Sequence, residues 1–473
     1  MAEGGVVYTR SETGSDHRHS GLYSRHSRNY VESVSVEICT IMTRLGYGEE
    51  IRRWRVEKYR GLDRLRNKRS TDVISITAGS KAEGLTGYFE SDKDTLYILK
   101  HVLCVEAGTN LDTIPDDIDV FRMDTREYPG HCILLQERPA TIPSAQIYNS
   151  LCHNGYGEVL LSSRLFQDYM YICQDLYMPP LLSRYAEPTG PSRPVVGLDI
   201  IYDDIVDAIP CHCPSILQRW AARPRHWPSP VIVQKVVSFG ACVTPVGHKG
   251  SDNKHIEWRI CFNIGETELV NNLNGTQAKV YVILKMILKD LLKPTKKEIT
   301  SYVLKNIILW QAENTQPTEF YERSLLHWLY DGLRQLRTAI DKKHLCYYMI
   351  PERNLMAACG LEDALQRKWV ADITDMMDEG PRVILRLEKI RKAIVASPEP
   401  MLWFSQKRME VEMLYLELQN RLTQITNENG DLDLGYLALE FYSCLNVSDV
   451  LGRIRQEGNP AIGPIDVLIR LLM

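Results

Sequence analysis

The segment that most constrains this chain is a β-branched run that ends in a glycine-serine turn and is followed closely by paired carboxylates. Val73-Ile74-Ser75-Ile76-Thr77 has the composition of a strand, and Ala78-Gly79-Ser80-Lys81 breaks it. A Gly-Ser turn opening a helix exposes backbone N–H groups and a hydroxyl to a polyphosphate, and Gly79 lets the ligand come close. Twelve positions after Ser80 stands Asp92-Lys93-Asp94. On a strand, residues two apart share a face, so both carboxylates could serve one site for Mg²⁺. A third acidic candidate lies in Tyr202-Asp203-Asp204-Ile205-Val206-Asp207, where Asp204 is the choice. Gly-Ser pairs are common, and an Asp-x-Asp reads equally well as a solvated face or a turn. The ordered combination is the informative feature.

Chemistry with such a set is phosphoryl transfer, which asks a protein mainly for divalent cations and positioned charges. The expected cofactor is therefore Mg²⁺ or Mn²⁺, two ions held by Asp92, Asp94 and Asp204. With 473 residues, 44% of them hydrophobic and 25% charged, the chain can bury a large core and falls among globular proteins. Its net charge of −4 means that any nucleic-acid contact must come from a local basic patch. Twelve cysteines without a C-x-x-C pair argue against a disulfide framework and for a reducing compartment, so a cytoplasmic location is expected. Apolar runs are interrupted by charges such as Lys285, so no membrane span is expected.

Residues 1–28 are Ser-, Gly-, His- and Arg-rich and read as a disordered basic tail. Val34, Ile38, Ile41, Met42 and Leu45, then a stretch from Glu49 to Arg69, predict one long or kinked helix. Strand and turn signals dominate 73–210, with a helix near 160–178 and a strand over Val195–Asp207. Beyond Glu266 the patterns are amphipathic helices, for example Leu325, Trp328, Leu329, Leu333, Leu336 and Ile340. After Pro398 a helix pair is expected, broken at Asn427-Glu428-Asn429-Gly430. The division that follows is a tail (1–28), a strand-rich core with an N-terminal helix (29–265), a helical part (266–396) and a C-terminal helical appendage (397–473).

Between Arg52 and Arg69 nine basic residues face only Glu57 and Asp63. On a helix this is a positive surface suited to duplex phosphates, read chiefly by shape in double-stranded RNA, or else a solvated face. Arg52, Arg53, Arg55 and Lys58 are the expected nucleic-acid contacts.

Taken together, these residues resemble the Mab-21 family and, within it, the invertebrate relatives of cyclic GMP-AMP synthase called cGAS-like receptors. The resemblance covers roughly residues 30–395. Besides Gly79-Ser80 and Asp92-x-Asp94 it is carried by Glu257-Trp258-Arg259-Ile260-Cys261-Phe262, Leu269-Val270, Gln277-x-Lys279, Lys285 and Ser301-Tyr302-Val303-Leu304-Lys305. It implies an α+β, two-lobed nucleotidyltransferase fold, with a mixed-sheet catalytic lobe, a long N-terminal helix and a helical Mab-21 lobe. It also implies an enzyme that joins nucleoside triphosphates, ATP, GTP or another, into a cyclic dinucleotide. Asp92, Asp94 and Asp204 would then be metal ligands and Ser80, beside Gly79, would meet the terminal phosphates. Lys285 would bind phosphate, Arg259 would read a base, and Tyr302, next to Ser301, would stack on one. Without the resemblance, Arg259 and Lys285 read as surface cations and Tyr302 as core.

The chain departs from the vertebrate DNA-sensing enzyme in having no His or Cys over 263–280, where that enzyme carries a zinc thumb. No structural zinc is expected, and double-stranded RNA is favoured over DNA as activator, with dimerisation on that ligand left open. Cys261 and Asn263 stand where base-contacting serines occur, which leaves the product's bases open. The competing readings are a catalytically silent Mab-21-type nucleotide-binding or scaffold protein and a template-free polymerase.

Overall fold

The computed structural model describes residues 21–424 except 69, 89, 178–182, 186–189, 198–200, 295–297, 358 and 397, and beyond them only 452, 453 and 456. The expected break at 427–430 and the second helix of the C-terminal pair lie outside the described residues.

The architecture is of the α+β class. A one-turn helix, Leu22–Arg25, is followed by α1 (Arg28–Met42) and α2 (Glu49–Asn67). Leu22 is buried, so ordered chain begins earlier than the polar composition of 1–28 suggests. The expected kink falls between α1 and α2, where a wide turn over Thr43–Tyr47 contains Gly46 at φ +93°. An L side chain rarely adopts that conformation.

The strands are β1 (Val73–Ala78), β2 (Lys93–Leu99), β3 (Val102–Val105), β4 (Asp119–Asp124), β5 (His131–Arg138), β6 (Leu151–His153), β7 (Val159–Leu161), β8 (Ser183–Tyr185), β9 (Ser192–Gly197), β10 (Ile201–His212), β11 (Ala241–Thr244) and β12 (Glu257–Cys261). Gly79–Ala82 forms the single helical turn α3, and Ser163–Tyr177 forms α4 where a helix is expected. The segment expected as a single strand over 195–207 falls instead on two strands, β9 and β10, paired antiparallel.

One mixed sheet runs β1-β2-β10-β11-β12-β5-β4-β3. β10 is its spine. It pairs in parallel with β2 along Asp203–Ala208 and antiparallel with β11 along Ile209–Cys211. The helices are α5 (Pro214–Ala221), α6 (Pro230–Ser238), α7 (Asn263–Asn271), α8 (Gly275–Met286), α9 (Ser301–Glu313), α10 (Leu325–Lys342), α11 (Asp363–Glu379) and α12 (Pro398–Gln424). After β12 the described residues are helical or irregular apart from one isolated bridge, Cys346–Asn354.

A continuous core joins α1, the sheet and the later helices through Val31, Phe121, Trp258, Leu304 and Trp369, all nearly solvent-free. A second, small cluster of Leu96, Ile98, Ala208 and Cys242, with Ile264 packed against it, lies on one sheet face. Among the described residues no helix is long and apolar enough to cross a membrane.

Candidate active site

Strand parity decides which acidic residues meet. β2 and β10 align Asp94 with Asp204 and Lys93 with Asp203. Because alternate residues face opposite ways, Asp94 and Asp204 lie on one face with Leu96, Val206, Ile98 and Ala208. Asp203 lies on the other face. It accepts from Thr95 Oγ1 at 2.7 Å and Lys93 Nζ at 3.1 Å. Asp207 is likewise tied to Arg193 at 2.7 Å. Of the three β10 carboxylates, only Asp204 joins Asp94.

Gly79 fits this pair. Its φ is +62°, and a Cβ there would stand 2.1 Å from Asp94 Oδ2, so the carboxylate rests on a bare Cα. Burial, and next the Asp204 charge, push the Asp94 carboxyl up to about 6. Two like-charged oxygen ligands in a half-buried cleft are a donor set that suits a hard divalent cation.

Asp92 is placed differently. β2 begins at Lys93, so Asp92 is exposed and its position is set by the preceding loop and not by the strand ladder. Among the described residues no group of three or more His, Cys, Asp or Glu side chains is arranged to hold a metal ion. The full three-carboxylate convergence expected from the sequence is therefore not formed in this arrangement.

Ser80 and Lys285 come together from opposite halves of the chain, with Lys285 Nζ donating to Ser80 Oγ at 2.6 Å. Burial lowers the Lys285 pKa. Below them lies a network that sequence reasoning missed. Lys305 Nζ contacts Glu83 Oε1 at 2.6 Å and Glu266 Oε2 at 3.6 Å. Glu266 Oε1 accepts from both Tyr302 Oη and Tyr347 Oη at 2.7 Å. Two tyrosine rings are thus pinned by one carboxylate. The signal for Lys305 was its place in α9, inside the run Val303, Leu304, Ile307, Ile308, where a cation needs an internal partner.

Following the register onward, Cys242 lies beside Cys261, Thr244 beside Arg259, and Arg259 beside His131. All share the Asp94 face. Cys261 Sγ lies 3.5 Å from Thr244 Oγ1. Arg259 and Tyr302 line a cavity of about 440 Å³ together with His131, His248 and Arg353. The buried Nε of Arg259 has no hydrogen-bond partner among the described residues. Ser301, at the start of α9, is exposed. Gly79, Ser80, Asp94, Asp204 and Lys285 therefore form one group, and Arg259 and Tyr302 a second.

The basic helix requires a correction. Arg52 and Arg55 are not surface cations, being 3% and 2% exposed. Arg52 donates to the carbonyls of Glu83, Leu273 and Val270, while Arg55 pairs with Glu412 of α12. Lys58 is bound by Glu417 of the same helix. Of the four expected nucleic-acid contacts, only Arg53 faces outward. It shares that face with Arg60 and Arg64, and the three line a groove of about 830 Å³ with Lys235. Glu268 bridges Arg60 and Lys235 at 2.9 and 2.7 Å.

Residues 276–370, from α8 into α11, match the Mab-21 protein HhH/H2TH-like domain. The chain is similar to a cyclic GMP-AMP synthase-like receptor of Ctenocephalides felis, 23% identical over 239 residues, which is 48% of each protein. It is also similar to one of Aethina tumida, 25% identical over 162 residues, 34% of this chain and 37% of the relative. These matches span about half or less of the relatives' length. The helical segment that follows the mixed sheet in the chain is thus similar to the Mab-21 domain.

Proposed function

We propose that this chain is a divalent-cation-dependent nucleotidyltransferase that converts nucleoside triphosphates into a cyclic dinucleotide and is switched on by double-stranded RNA in innate immune sensing. The observation that carries this reading is the pairing of Asp94 with Asp204 against Gly79, with Ser80 and Lys285 joined beside it. Asp94 and Asp204 would hold Mg²⁺ or Mn²⁺, with Asp92 brought in from its loop. Such cations neutralise triphosphate charge and activate the attacking hydroxyl. Ser80 Oγ and Lys285 Nζ supply donors for the terminal phosphates. Tyr302, its hydroxyl fixed by Glu266, offers a ring face to a base, and the Arg259 guanidinium offers planar donors. Both second-messenger bonds would form in successive transfers at this one centre, from ATP, GTP or another triphosphate.

A catalytically silent nucleotide-binding or scaffold protein of the Mab-21 type is the second reading, favoured by the incomplete carboxylate grouping among the described residues. Incubation with labelled triphosphates, Mg²⁺ or Mn²⁺, and duplex RNA, duplex DNA or neither separates the two. Phosphatase-resistant product that disappears in Asp94→Asn, with the variant still folded, supports the enzyme. No product under any condition, or an active Asp94→Asn, overturns it.

The activator is assigned to the outward face of α2. Arg53, Arg60 and Arg64 there can reach phosphates, whereas Arg52 and Arg55 are committed internally. Changing the three outward arginines to Glu is expected to cut RNA-stimulated turnover about tenfold or more at low salt. Equal turnover with and without RNA in the parent protein would remove the RNA assignment.

A further inference from the structure

The C-terminal helix α12 does more than cover a surface. It holds the loop that joins Ser80 to Asp92. Glu412, 1% exposed at its side chain, meets Arg55 of α2 through two contacts, Nε to Oε1 at 2.9 Å and NH2 to Oε2 at 2.7 Å. The same Oε1 accepts the backbone N–H of Tyr88 at 2.9 Å. Tyr415 packs its ring on Tyr88 with centroids 4.6 Å apart, and Gln419 Nε2 donates to the Tyr88 hydroxyl at 3.2 Å.

Two residues before Asp92, Glu90 is held as firmly. It accepts from Gly87 N at 2.8 Å, Tyr47 Oη at 2.9 Å and Lys389 Nζ at 2.5 Å, and Arg408 of α12 lies 3.4 Å away. From the Ser80 side, the buried Lys81 donates to the carbonyls of Gly87, at 2.6 Å, and Tyr88. Arg55 also donates to Gly46 O at 2.7 Å, at the kink between α1 and α2, where Met409 of α12 packs against Gly46.

A helix that needed only to adhere would do so through apolar contacts. Replacing a buried ion pair by hydrocarbon of the same shape is often neutral or stabilising, so such a pair is weak evidence of adhesion, whereas breaking it by removing one partner is strongly destabilising. Here the buried carboxylate spends its acceptors on one guanidinium and one loop amide, so helix, loop and kink are locked in one arrangement.

We propose that α12 acts in cis as a brace that sets the position of Asp92 relative to Asp94 and Ser80, with Glu412 and Arg55 as positioning residues. The role given to Asp92 rests on the function proposed above. The brace itself concerns only the loop 84–92. Cutting the brace leaves Ser80 and Lys285 in place while the loop that must deliver Asp92 to the Asp94–Asp204 pair loses its fixed conformation. Metal affinity falls and triphosphate binding is largely kept.

The test uses the full chain carrying Glu412→Ala, with Glu412→Gln as a volume-matched partner. Amide hydrogen exchange is followed by peptide, and Mn²⁺ binding is followed by electron paramagnetic resonance without turnover. In Glu412→Ala, exchange over 84–92 is expected to rise about tenfold or more while α10 and α11 stay protected. The Mn²⁺ dissociation constant is expected to rise about 10- to 100-fold. Glu412→Gln should fall between parent and Ala. If Glu412→Ala does not fold, the double change Tyr415→Ala and Gln419→Ala, which keeps the ion pair, should show the same loop-specific loosening. Loop exchange unchanged in a folded variant, or raised only together with α10 and α11, overturns the brace. A parent protein that binds no Mn²⁺ overturns the proposed function instead, and the exchange result still decides the brace.

Discussion

Asp94→Asn should make the metal-free protein more stable while removing its metal site. Below pH 3.8 Asp94 is protonated whether folded or not; above that, its burial beside Asp204 resists ionisation up to about 6. The fold thus holds a proton that the unfolded chain releases. Stability linked to Asp94 is fully present below pH 3.8 and is lost as pH rises through about 6. The gap between 3.8 and 6 corresponds to about 3 kcal/mol of strain at neutral pH. An amide removes the charge but must place its own N–H groups, which returns about 1–2 kcal/mol. A net gain of about 1–2 kcal/mol is expected at pH 7.5, shrinking towards pH 4. Urea unfolding in EDTA at both pH values measures it. The matched control is Asp203→Asn on the opposite face, which weakens the contacts to Lys93 and Thr95 and should lose about 1–3 kcal/mol. If Asp94→Asn is destabilised like Asp203→Asn, the picture of a strained ligand pair is refuted, because Asp94 is then an ordinary structural carboxylate.

Other perturbations follow from the same geometry. Gly79→Ala combines a left-handed backbone, about 1–2 kcal/mol, with a Cβ placed 2.1 Å from Asp94 Oδ2. It should lower stability and also abolish Mn²⁺ binding. Retained Mn²⁺ affinity in the folded variant would show that the bare Cα is irrelevant to the pair. His131 is held down to about 3, first by burial and then by Arg353, Arg259 and His248. It stays neutral in the fold while the unfolded chain takes up a proton below about 6.5, so its share of stability falls as pH drops, by about 2 kcal/mol at pH 5. His131→Gln should flatten that part of the unfolding profile relative to the parent. Identical profiles would place the burial effect elsewhere.

What the sequence disclosed, and what it hid, follows the distinction between local and long-range geometry. Gly79-Ser80 was legible because strand, turn and turn residue are contiguous. Which of Asp203 and Asp204 stands beside Asp94 is decided only by the register of β10 on β2, two strands more than a hundred positions apart. Asp92 was assigned to the strand because two-residue spacing mimics strand parity, but the ladder starts at Lys93 and the loop decides the rest. The basic helix was misread through charge counting. Arg52, Arg55, Val56, Tyr59 and Leu62 are the buried positions of α2. Their spacings of three, four and seven trace one helical stripe. Arg52 and Arg55 are in phase with the apolar residues, whereas Arg53, Arg60 and Arg64 are out of phase and turn their charges outward along the groove, whose floor includes Arg52, Val56 and Tyr59. A cation in phase with an apolar stripe must find acceptors inside the protein. The carbonyls of Glu83, Val270 and Leu273 and the Glu412 carboxylate supply them from remote parts of the chain. Phase along a helix therefore separates an internal tether from a ligand-facing charge, where the number of charges does not.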